Sequence, residues 1–471
     1  MSDRRMMTTA SHRTWRRIAS LSALALGGLA ATACNLDKVL KVNDVDVATP
    51  ASVSSVSGLP VVYAGGLADF QAELTAVDGS ITLPGLLADE LRDIDTFPTR
   101  IEVDQRHTQV TNGTVNGWYR AMHLARASLE RGAAAFAQFA PNDIRNAELH
   151  ALDGFNYIMF EEDWCNGVAY SEFVNGAATY GAANTGAQTL TLAIAQFDSA
   201  LAIAPAGSNI AYLAQVGKAR ALLDNGDYAG AAAQAVNVPV TFQYFVYTSQ
   251  NSGRENNGVY TNVGPLSKRY AVADLDGTNG LGFRTEGMNI AGSTGDWRVR
   301  YNQSGVGQDG QSPAFYQQKY PSLAAPVVLA DGIEAQLIVA ENDLKLGDVT
   351  GMLGILNALR SNTTIANRIP YTQAGQTPPA PLPPLVDPGT TDGRVNMLFH
   401  ERAFWMYLTG HRLGDLRRLV RQYGRTPESV FPTGNYQGAA GGVMGSDVNF
   451  PITVDEQNNP VAGASCLDRN S

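Results

Sequence analysis

The spacing Ala193-x3-Phe197-x2-Ala200-x4-Pro205 constrains this chain more than any other feature. Steps of four and three put Ala193, Phe197 and Ala200 on one face of a helix. The two alanines let a neighbouring helix come close, Phe197 fills the gap between them, and Pro205 stops the helix. This is the second-helix half of a tetratricopeptide unit. A further helix is expected from about Ile210 to Asp224, followed by Gly226-Asp227-Tyr228 and Ala231, the usual turn into such a second helix. A similar turn, Leu346-Gly347-Asp348, follows a helix expected over Val328–Lys345.

Apolar spacings of three and four predict further helices at Ser52–Leu74, Val115–Gln138 and Asp143–Asp163, the last capped by Asp143. The expected fold class is all-α: a tetratricopeptide-like helical solenoid of about four helix pairs with long irregular, loop-rich insertions. The irregular part is residues 236–325, rich in Gly, Asn, Ser, Thr and Tyr, with short alternating stretches such as Val240–Tyr247. So long a non-periodic region on a helical scaffold is where a binding surface would be built. Thr377–Pro388 holds six prolines and reads as a stiff extended loop between helices.

The N-terminus has the pattern of an exported lipoprotein. Arg4, Arg5, Arg13, Arg16 and Arg17 precede fourteen uncharged residues, Ile18–Ala31, and then Ala31-Thr32-Ala33-Cys34. A basic start, a short apolar core and small residues before a cysteine make residues 1–33 a signal peptide and Cys34 the lipidation site. The anchor would be lipid, which needs more than one acyl chain to hold. Without this leader's five basic and one acidic residue, the totals of 34 and 44 leave a formal charge of −14. That argues against nucleic acid or anionic lipid as the main partner. Cys165 and Cys466 then remain in an oxidising compartment, either as a disulfide tying the tail to an early helix or as two buried thiols; the disulfide is the expectation.

Near the C-terminus, Val395, Leu398, Phe399 and Met406 lie along one side of a helix that Gly410 is placed to end. A second helix is expected from about Leu413, with Asp415 near its positive end and Arg417, Arg418 and Arg421 beyond. The order Glu401-Arg402, Gly410-His411-Arg412, Asp415-Leu416-Arg417-Arg418 resembles the closing signature of the SusD/RagB family of outer-membrane nutrient-binding lipoproteins. Other stretches extend the resemblance: Ala147-Glu148 running to Tyr157, Lys319-Tyr320-Pro321 with Glu334 and Glu341, Leu356-Asn357-Ala358-Leu359-Arg360, and Phe450-Pro451-Ile452 with Asn459-Pro460. Trp405-Met406 and Leu408-Thr409-Gly410 depart from the family's Glu-Leu and Phe-Glu-Gly, which indicates a distant branch.

The resemblance implies a binding protein and not an enzyme, with no cofactor and no metal. Its partner would be a TonB-dependent barrel transporter of the SusC type, and its ligand an oligosaccharide or, as in some members, a peptide. It implies an outer-membrane location, lipid-anchored and facing outside. On this reading 34–235 is an N-terminal SusD-like region with tetratricopeptide helices, 236–325 a loop-rich ligand-binding region, and 326–471 a SusD/RagB-like helical region. Sugar binding needs flat aromatic faces with polar groups beside them. The loop after the first helix offers Arg92, Asp93, Asp95, Phe97 and Arg100; the central region offers Tyr260, Trp297, Arg298, Arg300, Tyr301 and Tyr316. The set expected to bind is Asp95, Phe97, Arg100, Tyr260, Trp297, Tyr301 and Tyr316. Trp118, Trp164 and Trp405 are expected in the core.

Other chemistries fit poorly. Gly305-x-Gly307-x-x-Gly310 spells a dinucleotide fingerprint, but Pro313 spoils the helix that should follow. His400-Glu401 lacks the second histidine of a zinc protease. Asp274-x-Asp276 opens like a calcium loop but has Asn279 and Thr285 where Gly and Glu are needed. Glu161-Glu162-Asp163 reads as a solvated helix end and not as a glycosidase acid pair. The alternative to nutrient capture is a periplasm-facing tetratricopeptide adaptor with protein or peptide clients.

Overall fold

The computed structural model describes residues 55–461 apart from 175–176, 293, 369 and 372–378, together with Cys466. The leader 1–33 and the lipidation site Cys34 lie outside the described residues. The fold is all-α and solenoid-like, with short strands confined to the connections. Its longer helices are α1 Leu59–Thr75, α2 Gly113–Phe139, α3 Ile144–Asp163, α4 Gly186–Ile203, α5 Asn209–Asp224, α6 Tyr228–Ala235, α7 Gly332–Leu346, α8 Val349–Ser361, α9 Thr391–Trp405 and α10 Arg412–Tyr423. From α1 to α6 each packs on the next, α6 packs on α7, and α7 packs on α8 and α9.

Close approach explains the packing. Phe197 is wedged between Gly154 of α3 and Gly217 of α5, where an added Cβ would sit 2.7 and 2.3 Å from its ring. Phe155 meets Phe197 edge to face, with ring centroids 5.3 Å apart. Gly66 of α1 and Gly132 of α2 accommodate Leu149 of α3 in the same way, at 2.9 Å each. Both Gly-Asp turns work by one device. Gly226 and Gly347 take positive φ (81° and 77°), closing α5 and α7. Asp227 and Asp348 then cap α6 and α8 by accepting the amides of Gly230 and Gly351, each at 2.8 Å.

Three expected boundaries shift. The first helix starts at Leu59, with Pro60 in its opening turn. The helix expected from Val328 starts at Gly332, because Asp331 caps it by accepting the Glu334 amide at 2.8 Å. The apolar run before it, opening on Val327-Val328, is a strand, Val327–Asp331, antiparallel to Gln243–Val246. The helix expected to run to Gly410 stops at Trp405. Met406–Gly410 is a turn with Leu408 (φ 53°) and Gly410 (φ 81°) left-handed, and a Cβ on Gly410 would lie 2.9 Å from the Ser80 carbonyl oxygen. Outside groups hold this turn open. Lys319 Nζ and Tyr320 Oη donate to the carbonyls of Tyr407 and Leu408 at 2.5 and 2.9 Å, and the Leu408 amide donates to Glu90 at 2.8 Å.

The closing hairpin is riveted to the solenoid by buried ion pairs. Arg402 on α9 holds Asp415 on α10 through Nε and Nη2 (3.0 and 2.8 Å). Arg418 reaches Asp415 (2.6 Å), Glu341 of α7 (2.5 Å) and Asp224 of α5 (3.3 Å). Arg412 grips Asp89 at 2.6 and 2.8 Å. Burial alone would raise the Asp415 carboxyl; Arg402 and Arg418 hold it well below the usual carboxylate range.

The reading of Glu161-Glu162-Asp163 as a solvated helix end is corrected here: all three are buried. Glu162 pairs with Arg220 (Nε at 2.7 Å), Glu161 with Arg421 at 2.5 Å, and Arg417 donates to the Glu162 carbonyl at 2.7 Å. The chain just beyond α3 also receives the tail. The Phe450 amide donates to the Asp163 carbonyl (2.8 Å) and its carbonyl accepts from Cys165 (2.9 Å). Cys165 is bonded to Cys466, with Cα atoms 5.6 Å apart. Trp118, Trp164 and Trp405 are all buried. A second, smaller core lies under α8 and α9, around Trp405, Leu356 and Trp297. The proline-rich stretch straps α8, where Asn357 exchanges hydrogen bonds with the Leu385 backbone (2.7 and 3.1 Å).

Candidate functional site

Short strands join the early loop to the central region. Leu91–Asp93 (β1) runs antiparallel to Tyr270–Val272 (β2), pairing Leu91 with Val272 and Asp93 with Tyr270. The connection continues past the strand, where the Ile94 amide donates to the Arg269 carbonyl at 2.8 Å. Asp296–Val306 (β3) and Pro313–Gln317 (β4) form a hairpin whose tip docks on the same loop. There the amides of Gln308 and Asp309 donate to the carbonyls of Lys268 and Ile94, each at 3.1 Å. The contact is tight: a Cβ on Gly307 would lie 2.4 Å from the Ile94 carbonyl oxygen. Three stretches far apart in sequence thus make one patch.

Phe97 sits at the edge of this patch. It precedes the short helix Pro98–Asp104, which opens on proline, and its ring is 49% exposed. The guanidinium carbons of Arg100 and Arg269 both lie 4.9 Å from the ring centroid. Neither arginine is free to swing. Arg100 makes a fork to Asp78 (3.0 and 2.6 Å) and a third bond to Asp95 at 2.8 Å. Arg269 reaches Asp95 at 2.6 Å, and Tyr270 Oη donates to Asp78 at 2.5 Å. Burial would lower Arg100, but its bonds to Asp78 and its acidic surroundings raise it, so it keeps its charge. The result is a half-exposed apolar ring with two fixed guanidinium groups beside it, whose charge is balanced by Asp78 and Asp95. The exposed part of the ring can stack a ring face, and the more accessible Arg269 can offer N–H donors beside it.

The other expected residues separate. Tyr260 is half-buried on the short helix Gly258–Asn262, whose Asn257 cap accepts its amide at 2.9 Å. Tyr301 on β3 is half-buried with its ring edge-on to Phe315, over which Arg284 lies at 3.7 Å. Trp297 and Tyr316 correct the expectation of stacking faces, since both are only 3% exposed. Trp297 belongs to the smaller core: Nε1 donates to the Ala380 carbonyl (2.9 Å), and Tyr371 and Trp405 meet its ring edge-on. Tyr316 packs beneath the early loop with Ile94, Ala271 and Ala314. Arg298, on the same strand, is a core residue paired with Glu401 at 2.7 Å.

The sequence reading missed Asp78, Arg269 and Tyr270. The short apolar run Tyr270–Ala273 is the one local sign of a strand there, and nothing announced its pairing with residues 91–93. The calcium-like Asp274 and Asp276 are committed elsewhere. Asp274 accepts the amides of Arg284 and Thr285 (2.9 and 2.8 Å), and Asp276 is ion-paired with Arg92. Among the described residues no group of His, Cys, Asp or Glu is arranged to hold a metal, and no helix is long and apolar enough to cross a membrane.

No family model matches the sequence, and no curated protein matches it. Solved structures do match. A SusD-like protein from Bacteroides fragilis superposes with a TM-score of 0.62 at 12% identity, over 89% of this chain and 98% of its own. A SusD-like carbohydrate-binding protein from the same organism gives 0.61 at 14% identity, over 86% and 98%. A SusD superfamily protein from Bacteroides thetaiotaomicron gives 0.59 at 12% identity, over 88% and 98%. The chain therefore has the SusD-like fold.

Proposed function

We propose that this chain is a cell-surface lipoprotein that binds an oligosaccharide and delivers it to a TonB-dependent outer-membrane transporter of the SusC type. One observation carries the reading. The likeness spans nearly the whole length of SusD-like neighbours, one of them a carbohydrate-binding protein, and is not confined to the tetratricopeptide-like helices. A client-binding adaptor would need only those helices. The leader ending at Cys34 supplies the anchor, through acyl chains on that cysteine.

In this reading the ligand lies on the Phe97 ring, with Arg269 donating to its hydroxyls and the buried Arg100 fixing the ring from beside it. Asp78 and Asp95 act at one remove, holding the two guanidinium groups in place. Tyr316 supports the patch from beneath, packed with Ile94 and Ala271. The carboxylates beside the ring, Asp78 and Asp95, are both bonded to arginine, which suits them to hold the site and not to cleave a ligand.

The partnership is tested by recovering the tagged protein from outer membranes in mild detergent and identifying what co-purifies. A large TonB-dependent barrel in near-equal amount is the expected result. Recovery with periplasmic proteins and no barrel would favour the adaptor instead.

A further inference from the structure

On the solenoid a cleft of about 460 Å³ opens between α1, the start of α3, the start of α5 and the strand Gln243–Val246. That volume is in the range of small-ligand sites. Tyr63, Tyr244, Phe245 and Tyr247 line it, with Glu148 among them. The Glu148 oxygens accept one hydroxyl each, from Tyr63 and Tyr244, both at 2.6 Å. A carboxylate has about four acceptor sites, so two bonds leave it capacity for another donor. No Arg, Lys or His lines the cleft, in contrast to the arginine-flanked Phe97 patch.

A tyrosine–carboxylate–tyrosine clamp has an obvious structural use, since it ties the strand to α1 and α3. Tyr247 has no share in that use. It lies just past the end of the strand, is 74% exposed, and sets its ring 6.2 Å from Phe245. An exposed ring platform beside a carboxylate lacking a cationic partner is the complement of a particular ligand. Its apolar face would stack, and its polar edge would carry positive charge. Such a charge gains a charge-assisted hydrogen bond to Glu148 and attraction to the tyrosine faces.

We propose that this cleft is a second saccharide site that takes an amine-bearing sugar, with the ring on Tyr247 and the ammonium on Glu148. This rests on the reading of the chain as a saccharide-binding protein but not on the Phe97 patch. An acidic sugar is disfavoured, because its carboxylate would face Glu148, while the one basic group beside the cleft, Arg145 at 5.9 Å from the Tyr63 ring, is already paired with Asp143 at 2.6 Å.

Titration calorimetry of the full-length protein with three disaccharides of one linkage geometry tests it: fully deacetylated chitobiose, cellobiose and cellobiouronic acid. The amine is expected to bind about tenfold tighter than cellobiose, as one charge-assisted hydrogen bond allows, and the acid weakest. Glu148→Gln should erase the preference for the amine. Tyr247→Ala should weaken amine and neutral sugar alike by about fivefold, the worth of one ring contact; as a surface change it carries the test if the Glu148 variant does not fold. Phe97→Ala should retain the amine-sensitive binding. Three results overturn the proposal: no heat from any probe at millimolar concentration, amine binding that survives both cleft substitutions, or amine binding abolished by Phe97→Ala. If Phe97→Ala loses other saccharides while the cleft takes none of the three, the second site falls and the first reading stands.

Discussion

Arginine–carboxylate pairs dominate two regions of this molecule and do opposite work in them. In the seam between the closing hairpin and the solenoid, Arg402, Arg418, Asp415 and Glu341 are all buried, and each ion has more than one partner. At the Phe97 patch, Arg100 and Arg269 meet Asp78 and Asp95 beneath a half-exposed ring. Desolvation sets the difference. A charge sealed from water is stable only inside its full set of partners, so the seam fixes one arrangement of helices. At the patch Arg100 and Asp95 are buried as well, but Arg269 reaches the surface, where a charge costs little, so the patch can hold that arginine in place and still present it.

The sharpest way to break this comparison is to remove one ion from each region. Asp415→Asn leaves Arg402 and Arg418 short of a buried counter-ion and should destabilise the protein by about 3–5 kcal/mol. Arg269→Ala leaves a patch that water can reach and should cost within about 1 kcal/mol. Urea unfolding of both variants decides; equal losses would erase the distinction. Acid should act through the same group. Asp415 titrates low in the fold, so its stabilisation is present above the unfolded carboxylate range and lost as pH falls through the folded value. Asp415→Asn should accordingly be less acid-sensitive than the unaltered protein.

Glu90 tests the seam from the alkaline side. Burial pushes its carboxyl up to about 8, although the Leu408 amide and Arg412 pull it down. Its proton is bound more tightly folded than unfolded, so stability is greatest below the unfolded value and declines as pH rises toward 8. Glu90→Gln keeps the shape and should be more stable than the unaltered protein at pH 8 by about 1–3 kcal/mol, the gain vanishing near pH 4. A melting-temperature series across that range reads it directly, and a gain independent of pH would contradict the assignment.

The smallest stability effect belongs to the ligand surface. Phe97→Ala should change stability by no more than about 0.5 kcal/mol, while saccharide affinity drops at least about tenfold. Trp297→Phe should do the reverse, loosening the smaller core through the lost Ala380 bond and leaving affinity near its original value.

The sequence carried the scaffold well because local rules decide it. The Gly-Asp turns at 226–227 and 347–348 and the Asp143 cap all act within a few residues of themselves. Local rules also explain the errors. Val327–Asp331 looked helical because its apolar run continues into α7, whereas pairing with Gln243–Val246 decides its conformation. Glu161-Glu162-Asp163 looked solvated because its arginines, at 220, 417 and 421, come from other helices. The site was half legible for the same reason. Phe97, Arg100 and Asp95 lie within one loop, but Arg269 and Tyr270 join them through a strand pairing across about 180 residues. Trp297 and Tyr316 have the composition of ligand contacts, and only their packing against Trp405 and Ile94 reveals them as core.

The central claim is that a saccharide is bound on the Phe97 patch. An array of oligosaccharides and peptides probed with the unaltered protein and with Phe97→Ala, matched for melting temperature, tests it most directly. The account predicts a defined set of saccharides bound by the first and weakened or lost in the second. Binding of peptides alone, or saccharide binding unchanged in Phe97→Ala, would contradict it.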